Sequence, residues 1–349
     1  MKPIQAGSKH IGPGYPCFIA AEIGINHNGD MALAKRMIDA AVDAGADAVK
    51  FQNYRTDNFL SDRTLIYTYQ SQGRTVTETQ YDMFRRCELS VVQLQELRIH
   101  CDAKRVVFFS TPTGDDGIRD LLDAGAPLLK NGSDYLTNLP LIRSMARSGL
   151  PTILSTGMAI EEEIADAVNA FEDAGGKELV LLHCTSAYPT PDEEVNLRKI
   201  DTLRQRFGHL VGFSDHSWGN MAALGAVALG ACFVEKHFTL DKNLPGPDHA
   251  FSSDPTEFSE LTAGIRRLEK SLGQSVIGPT DSEMRNRTNF RLSCVAIANL
   301  PAGHVVGMED IVFRRPGNGL PPKMAESLVG MVLTQPLERG ACFPSSDSA

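Results

Sequence analysis

The chain has 349 residues, 22% of them charged and 42% hydrophobic, with a formal net charge of −9. That is the composition of an ordinary globular protein. The acidic balance argues against non-specific nucleic-acid binding, and no apolar run approaches the length needed to cross a membrane. Seven cysteines without a CxxC pair read as a reduced intracellular set rather than a disulfide framework. With no basic-then-apolar leader at the N-terminus, the cytoplasm is the expected compartment.

In chain order, Cys17–Ile25 is an apolar run interrupted by Glu22 and followed by the loop Asn26-His27-Asn28-Gly29. Asp30 suits a helix N-cap, with Leu33, Met37, Ala41 and Ala44 on one helical face. Ala46–Gln52 predicts the next strand, carrying Lys50 and Gln52. A polar excursion over Tyr54–Leu89 follows, expected to lie over one end of the molecule as a lid or substrate wall. Helix Val91–Ala103 leads into strand Val106–Thr111.

The alternation then becomes regular. Strands at Pro127–Ser133, Pro151–Gly157, Glu178–Thr185, Val211–His216 and Cys232–His237 precede helices at Leu139–Ser148, Glu161–Ala174, Leu197–Phe207, Asn220–Leu229 and Pro255–Leu272. Asp254 as N-cap, Pro255 at the first helical position and Glu257 two residues on mark the start of the last helix. Eight β/α units predict an α/β fold, a (β/α)8 TIM barrel over residues 1–273. Residues 274–288 read as a linker, and 289–349 as a small β-rich domain, with short apolar runs at Leu292–Ala298 and Val329–Leu333.

Polar residues end every predicted strand, and a barrel gathers such tips at one mouth. Lys50 and Lys130, with Thr111, Ser133 and Ser155, offer ammonium and hydroxyl donors suited to a phosphate. A barrel lysine also serves Schiff-base chemistry, so a pyruvate aldolase is a rival. His216 and His237 end neighbouring strands, and two imidazoles so placed suit one divalent metal. Asp215, Glu235 and Asp248 are the acids near them. Cys17, Cys184, Cys232 and Cys294 lie within apolar runs and read as core packing, as does His183; His27 is either a site residue or a loop stiffener.

Several motifs, in order, carry a family resemblance: AEIGINHNG at Ala21–Gly29, VKFQ at Val49–Gln52, STP at Ser110–Pro112, LSTGM at Leu154–Met158 and LHCTSAYPTP at Leu182–Pro191. GFSDH at Gly212–His216, EKHFTLD at Glu235–Asp241, GPDH at Gly246–His249 and RPGNG at Arg315–Gly319 continue it. Over essentially its whole length the chain resembles the sialic acid synthase (N-acetylneuraminate synthase) family. The part from Asn289 to Phe343 looks like that family's C-terminal SAF, or antifreeze-like, β-clip domain.

The resemblance implies condensation of phosphoenolpyruvate with N-acetylmannosamine or a related N-acyl amino sugar, giving a nine-carbon 2-keto acid and phosphate. It implies a divalent ion on His216 and His237, manganese first, with magnesium or cobalt as the other candidates. Lys50, Thr111, Lys130, Ser133, Ser155 and Ser214 would then contact phosphoenolpyruvate. Gln52, Tyr188, Asp248 and Glu22 would face the sugar or metal-bound water, with Glu22 handling a proton. Arg315 would reach the sugar in the other subunit of a domain-swapped homodimer.

Two departures stand out. Asn131 takes a usually apolar place, which puts the local strand geometry in question, and Ser186 replaces an asparagine where sugar hydroxyls are recognised. Legionaminic and pseudaminic acid synthases, acting on diacetamido-trideoxyhexoses, are the alternatives within the family, and a 6-phosphate acceptor is another. A non-catalytic carbohydrate-binding role and a 3-deoxy-ulosonate synthase are the remaining rivals. The first predicts loss of strand-tip groups, and the second lacks a counterpart to the SAF tail.

Overall fold

A computed structural model describes residues 1–344 and divides into two compact units, Met1–Gly273 and Gln274–Ala349. In the first, eight parallel strands close into a barrel in sequential order. They are β1 Phe18–Gly24, β2 Ala48–Asn53, β3 Val107–Pro112, β4 Leu129–Asn131, β5 Thr152–Ser155, β6 Leu179–Cys184, β7 Leu210–Asp215 and β8 Phe233–His237. The outer helices are α1 Met31–Asp43, α2 Val91–Lys104, α3 Asp115–Asp123, α4 Leu139–Arg147, α5 Glu161–Asp173, α6 Lys199–Phe207, α7 Met221–Ala228 and α8 Pro255–Leu272. The molecule is thus an α/β TIM barrel followed by a second small unit.

Successive strand residues face opposite sides, and this alternation divides the barrel into two cores. Ile19, Ala21, Val49, Phe51, Phe108, Leu154, Leu181 and Val234 face outward and pack with Ile38, Leu97, Ile142, Phe171 and Phe258 of the helices. Phe18, Ala20, Ala48, Phe109, Ile153, Leu182 and Phe233 face inward and fill the lower interior. The stacked rings of Phe18 and Phe233, 5.2 Å apart, form much of that floor. The helix starts follow their capping chemistry. Asp30 accepts from the Ala32 and Leu33 amides, and Asp254 and Glu257 form a reciprocal capping box at α8.

Several segments differ from the sequence expectation. A hairpin pairing Ile4–Ala6 with Lys9–Ile11 precedes the barrel, and its Ile4, Ala6 and Ile11 join the inward-facing core. Its strands are too short for alternation to register. Helix α3, absent from the sequence expectation, opens with an acidic first turn and buries Ile118 and Leu121. The excursion from Tyr54 to Leu89 folds into a hairpin, Ile66–Ser71 with Arg74–Thr79, flanked by helices Thr56–Phe59 and Gln80–Cys87.

The second unit pairs Ser293–Ala296 with Ile311–Arg314 around Cys294, Leu300, Val306, Leu328, Leu333 and Phe343. One correction applies there. The span read as a linker carries the helix Asp281–Phe290, started by a capping box of Thr280 and Glu283. The apolar run Val329–Leu333 bridges Val332 to Val305 and exchanges main-chain bonds with His304 and Val306. The last five residues of the expected 289–349 domain lie outside the described residues. Among the described residues no helix is long and apolar enough to cross a membrane.

The loop after β1 needs a glycine at position 29. Gly29 has φ +78°, and a Cβ there would stand 2.2 Å from the Arg86 carbonyl oxygen of the excursion. Gly29→Ala combines backbone strain with a collision against main chain, so it should cost about 2 kcal/mol or more. Chemical denaturation of the two proteins checks this, and an unchanged midpoint contradicts it.

Candidate active site

Above the aromatic floor, the next inward positions of the strands are polar. β1 supplies Glu22, β2 Lys50 and Gln52, β3 Thr111, β4 Lys130, β5 Ser155, β7 Ser214, and β8 Glu235 and His237. All of these line one cavity of about 430 Å³, together with Ser133, Cys184, Ser186, Tyr188, His216 and Asp248. The sequence-predicted residues of the barrel therefore meet at one mouth, at the C-terminal ends of the strands.

At the bottom of this cavity lies a buried charge cluster. Lys50 Nζ is 3.0 Å from Glu235 Oε1, 3.3 Å from Glu22 Oε1 and 3.3 Å from Thr111 Oγ1. Gln52 Nε2 donates to Glu22 Oε1 at 3.0 Å, and Ser214 Oγ to Glu235 Oε1 at 3.4 Å. Lys130 Nζ instead donates to Ser155 Oγ at 2.6 Å and to the Asn131 carbonyl at 2.9 Å. The Gly157 amide donates to Ser133 Oγ at 3.0 Å.

These surroundings push like groups apart. Burial, opposed by Lys50 and helped by repulsion from Glu235, raises the Glu22 carboxyl to about 7. Burial also opposes ionisation of Glu235, but Lys130 and Lys50 outweigh it and hold that carboxyl below its usual value. Burial disfavours the Lys50 ammonium, yet Glu22 and Glu235 more than compensate and raise it. Burial lowers Lys130, only partly offset by Glu235. One carboxyl that holds a proton near neutrality beside one that stays ionised is the pattern of an acid/base pair.

The two histidines stand together higher in the cavity, with ring centroids 5.4 Å apart and Tyr188 packed on His216 at 4.1 Å. His216 Nδ1 lies 2.8 Å from the Thr185 carbonyl oxygen. An N–H there donates to that carbonyl and leaves the Nε2 lone pair for a ligand. His237 Nδ1 is buried without a hydrogen-bond partner, 3.9 Å from Asp248 Oδ2. Burial, then the positive field of His216, Lys50 and Lys236, keeps His237 neutral well below the usual imidazole value. Among the described residues no group of three or more His, Cys, Asp or Glu gathers as a metal site. Two adjacent imidazoles, one with an orphaned buried nitrogen, fit a divalent ion whose other positions go to small ligands.

The upper wall is aromatic and comes from the excursion and later loops. Tyr54, Phe59, Tyr67, Phe84, Tyr135 and Phe251 line it, with Ile25, Met83 and Met158. Asp248 is raised to about 6 by burial, opposed by His216. Arg315 belongs to the second unit, exposed, with its guanidinium 5.1 Å from the Phe290 ring centroid.

Sequence reasoning missed parts of this. Glu235 reads from the sequence as a polar strand-tip group and a nearby acid but is given no role, although its place two residues before His237 puts it on the same face. Cys184, expected in the core, lines the cavity with Sγ 3.8 Å from His216 Nδ1; alternation from Leu182 signals that. His183 faces outward and bonds the Val195 carbonyl at 2.6 Å. His27 Nδ1 accepts from the Gly29 amide at 3.0 Å, a loop-stiffening role. Asn131 faces outward, fully buried with both amide atoms unpartnered, while β4 keeps its pairing to Leu154.

Two buried lysines, a hydroxyl set and paired histidines at one barrel mouth suit an anionic substrate, and comparison with known proteins gives the class, a phosphoenolpyruvate-dependent condensing enzyme. The NeuB family model matches residues 37–277 and the SAF domain model residues 293–347. The chain belongs to the NeuB family, whose members include sialic acid-type synthases. It is 39% identical to an N,N'-diacetyllegionaminic acid synthase of Legionella pneumophila, across 96% of this chain and 95% of that protein. It is 33% identical to human N-acetylneuraminate-9-phosphate synthase, across 92% and 89%. The crystal structure of the N-acetylneuraminic acid synthetase from Leptospira borgpetersenii in complex with citrate superposes with a TM-score of 0.74, at 35% identity over 82% of this chain and 95% of that one.

Because Glu22 holds its proton to about pH 7, against about 4.5 for an ordinary glutamate, the folded protein carries an extra proton between those values. Wild-type stability therefore falls as pH rises through that window. Glu22→Gln removes the effect, so its stability relative to wild type should climb across the window by up to about 3 kcal/mol. Paired urea titrations read this; curves that stay parallel from low to neutral pH contradict it.

Proposed function

We propose that this enzyme joins phosphoenolpyruvate to a 2-acetamido sugar that carries no phosphate, and that the acceptor is a diacetamido-trideoxyhexose of the legionaminic type. The observation that carries this is the placement of charge in the cavity. Its only cationic side chains among the described residues are Lys50 and Lys130 at the bottom, with His216 and His237 midway, while the outer wall is aromatic and aliphatic. Within this chain's own cavity a 6-phosphate there would meet no ammonium or guanidinium, whereas a deoxy carbon would meet apolar surface. The higher identity to the Legionella synthase than to the human 9-phosphate synthase points the same way. N-acetylmannosamine is the second reading, since it too lacks a phosphate.

In this reading Lys130, unpaired with any carboxylate, and Ser133, Ser155 and Thr111 hold the phosphate, while Lys50 and Ser214 complete the contacts to phosphoenolpyruvate. A divalent ion on His216 and His237, manganese first, supplies Lewis acidity toward the acceptor carbonyl. Carbon 3 of phosphoenolpyruvate attacks the open-chain aldehyde, forming the C–C bond as the aldehyde oxygen gains a proton. Water then adds to carbon 2 and gives up a proton, and the C–O bond to phosphate breaks to leave the 2-keto acid. Glu22 is the proton-handling group, because a carboxyl near 7 both gives and takes at neutral pH. Gln52, Ser186, Tyr188 and Asp248 surround the sugar.

A Schiff-base aldolase working through Lys50 is disfavoured because Lys50 is a paired ammonium, its pKa raised rather than lowered; the rival then rests on Lys130, lowered by burial, and borohydride trapping separates the two. The reading includes a homodimer in which an exposed Arg315 reaches the other subunit's sugar. It also includes a cytoplasmic setting, in keeping with seven unpaired cysteines.

Phosphate release from phosphoenolpyruvate with Mn2+ and a panel of acceptors tests the proposal. Release should require an unphosphorylated 2-acetamido sugar, run fastest with the diacetamido-trideoxyhexose and stop with EDTA. Preference for the 6-phosphate sugar overturns the acceptor assignment. Glu22→Gln should lower turnover about a hundredfold or more with metal content unchanged, and near-normal turnover rejects the role given to Glu22.

A further inference from the structure

Asp215 and Lys236 are register partners on β7 and β8, and each stands immediately before one of the two histidines. Strand alternation turns both side chains away from the cavity, so neither lines it. Lys236 Nζ donates to Asp215 Oδ2 at 2.7 Å and to the Ser217 carbonyl at 2.9 Å. Asp215 Oδ1 accepts from the Ser217 amide at 2.9 Å and from its hydroxyl at 2.7 Å. The two charged side chains are 4% and 0% exposed.

A buried ion pair gives little net stability over well-packed apolar side chains. What this one provides is geometry. It holds the residues before and after His216, and it ties them to the residue before His237. The Thr190 amide, donating to the His216 carbonyl at 2.9 Å, secures the same turn from the other side. A shift of either strand tip would therefore have to break charge-assisted bonds in a site closed to water.

We propose that the Asp215–Lys236 pair is the positioning device that fixes the spacing of the His216 and His237 rings, and that it thereby sets the affinity of the two-histidine site for a divalent cation. This rests on the metal reading given above. Neither residue is a ligand and neither touches substrate. The phosphate donor Lys130 is held by Ser155 and the Asn131 carbonyl, on strands away from the pair.

The test separates positioning from general structural support. Mn2+ binding, read from the free-ion electron paramagnetic resonance signal, phosphoenolpyruvate binding by calorimetry, and the thermal midpoint are measured on wild type and on the double variant Asp215→Leu/Lys236→Met. The double variant replaces the pair by apolar side chains of similar size. It should unfold near the wild-type temperature and bind phosphoenolpyruvate with unchanged affinity, yet bind Mn2+ at least about tenfold more weakly. Asp215→Glu keeps the charges but lengthens the tether, and should weaken Mn2+ in the same selective way should the double variant not fold. Wild-type Mn2+ affinity in either folded variant, or an equal loss of Mn2+ and phosphoenolpyruvate binding, overturns the assignment alone. A wild type that binds no Mn2+, or binds it equally after His216→Ala/His237→Ala, overturns the metal reading and this inference with it.

Discussion

The ammonium of Lys50, held between the carboxylates of Glu22 and Glu235, is the interaction on which the rest of the site depends. Two carboxylates so close and so buried cannot both stay ionised without a cation between them. Lys130 and Lys50 together let Glu235 remain charged, while burial and the residual repulsion leave Glu22 protonated to about 7. The cluster thus divides two chemically identical side chains into different roles without any special residue type. It also leaves Lys130, tied only to a hydroxyl and a carbonyl, as the ammonium with charge to spare for an anionic ligand.

Such a cluster needs a dry platform beneath it. The lower interior supplies this with Phe18, Phe109 and Phe233, and with the side chains of the N-terminal hairpin packed among them. The same alternation that points Glu235 and His237 inward points Lys236 outward to Asp215. One strand therefore presents a catalytic face and a bracing face within three residues. Above the charges the cavity wall turns largely aromatic, with Tyr54, Phe59, Tyr67 and Phe84 from the Tyr54–Leu89 excursion and Tyr135 and Phe251 from later loops.

How much of this is legible in the sequence follows from range. Strands that end in a polar residue repeat eight times, so the barrel and the mouth residues Lys50, Lys130, His216 and His237 can be found from local pattern together with the family motifs. Side-chain parity was available as well, and applied consistently it places Glu235 and Cys184 in the cavity. Pairings made across the barrel were not available. Nothing local to Glu22 shows that Glu235 lies within reach of the same lysine more than two hundred residues on. The hairpin at Ile4–Ile11 carries too few periodic positions to register, and the helix Asp281–Phe290 has almost no apolar stripe. The excursion reads as polar because its wall is made by widely spaced aromatics that meet only when it folds.

The central claim is that the buried cluster binds phosphoenolpyruvate as an ion for condensation, with no covalent lysine adduct. A single-turnover reaction with phosphoenolpyruvate labelled with 18O at the bridging position tests it most directly. The account predicts that the label leaves with phosphate, through cleavage at carbon 2, and that no substrate carbon is trapped on the protein by borohydride. Label retained in the keto acid, or a trapped adduct at Lys50 or Lys130, contradicts it.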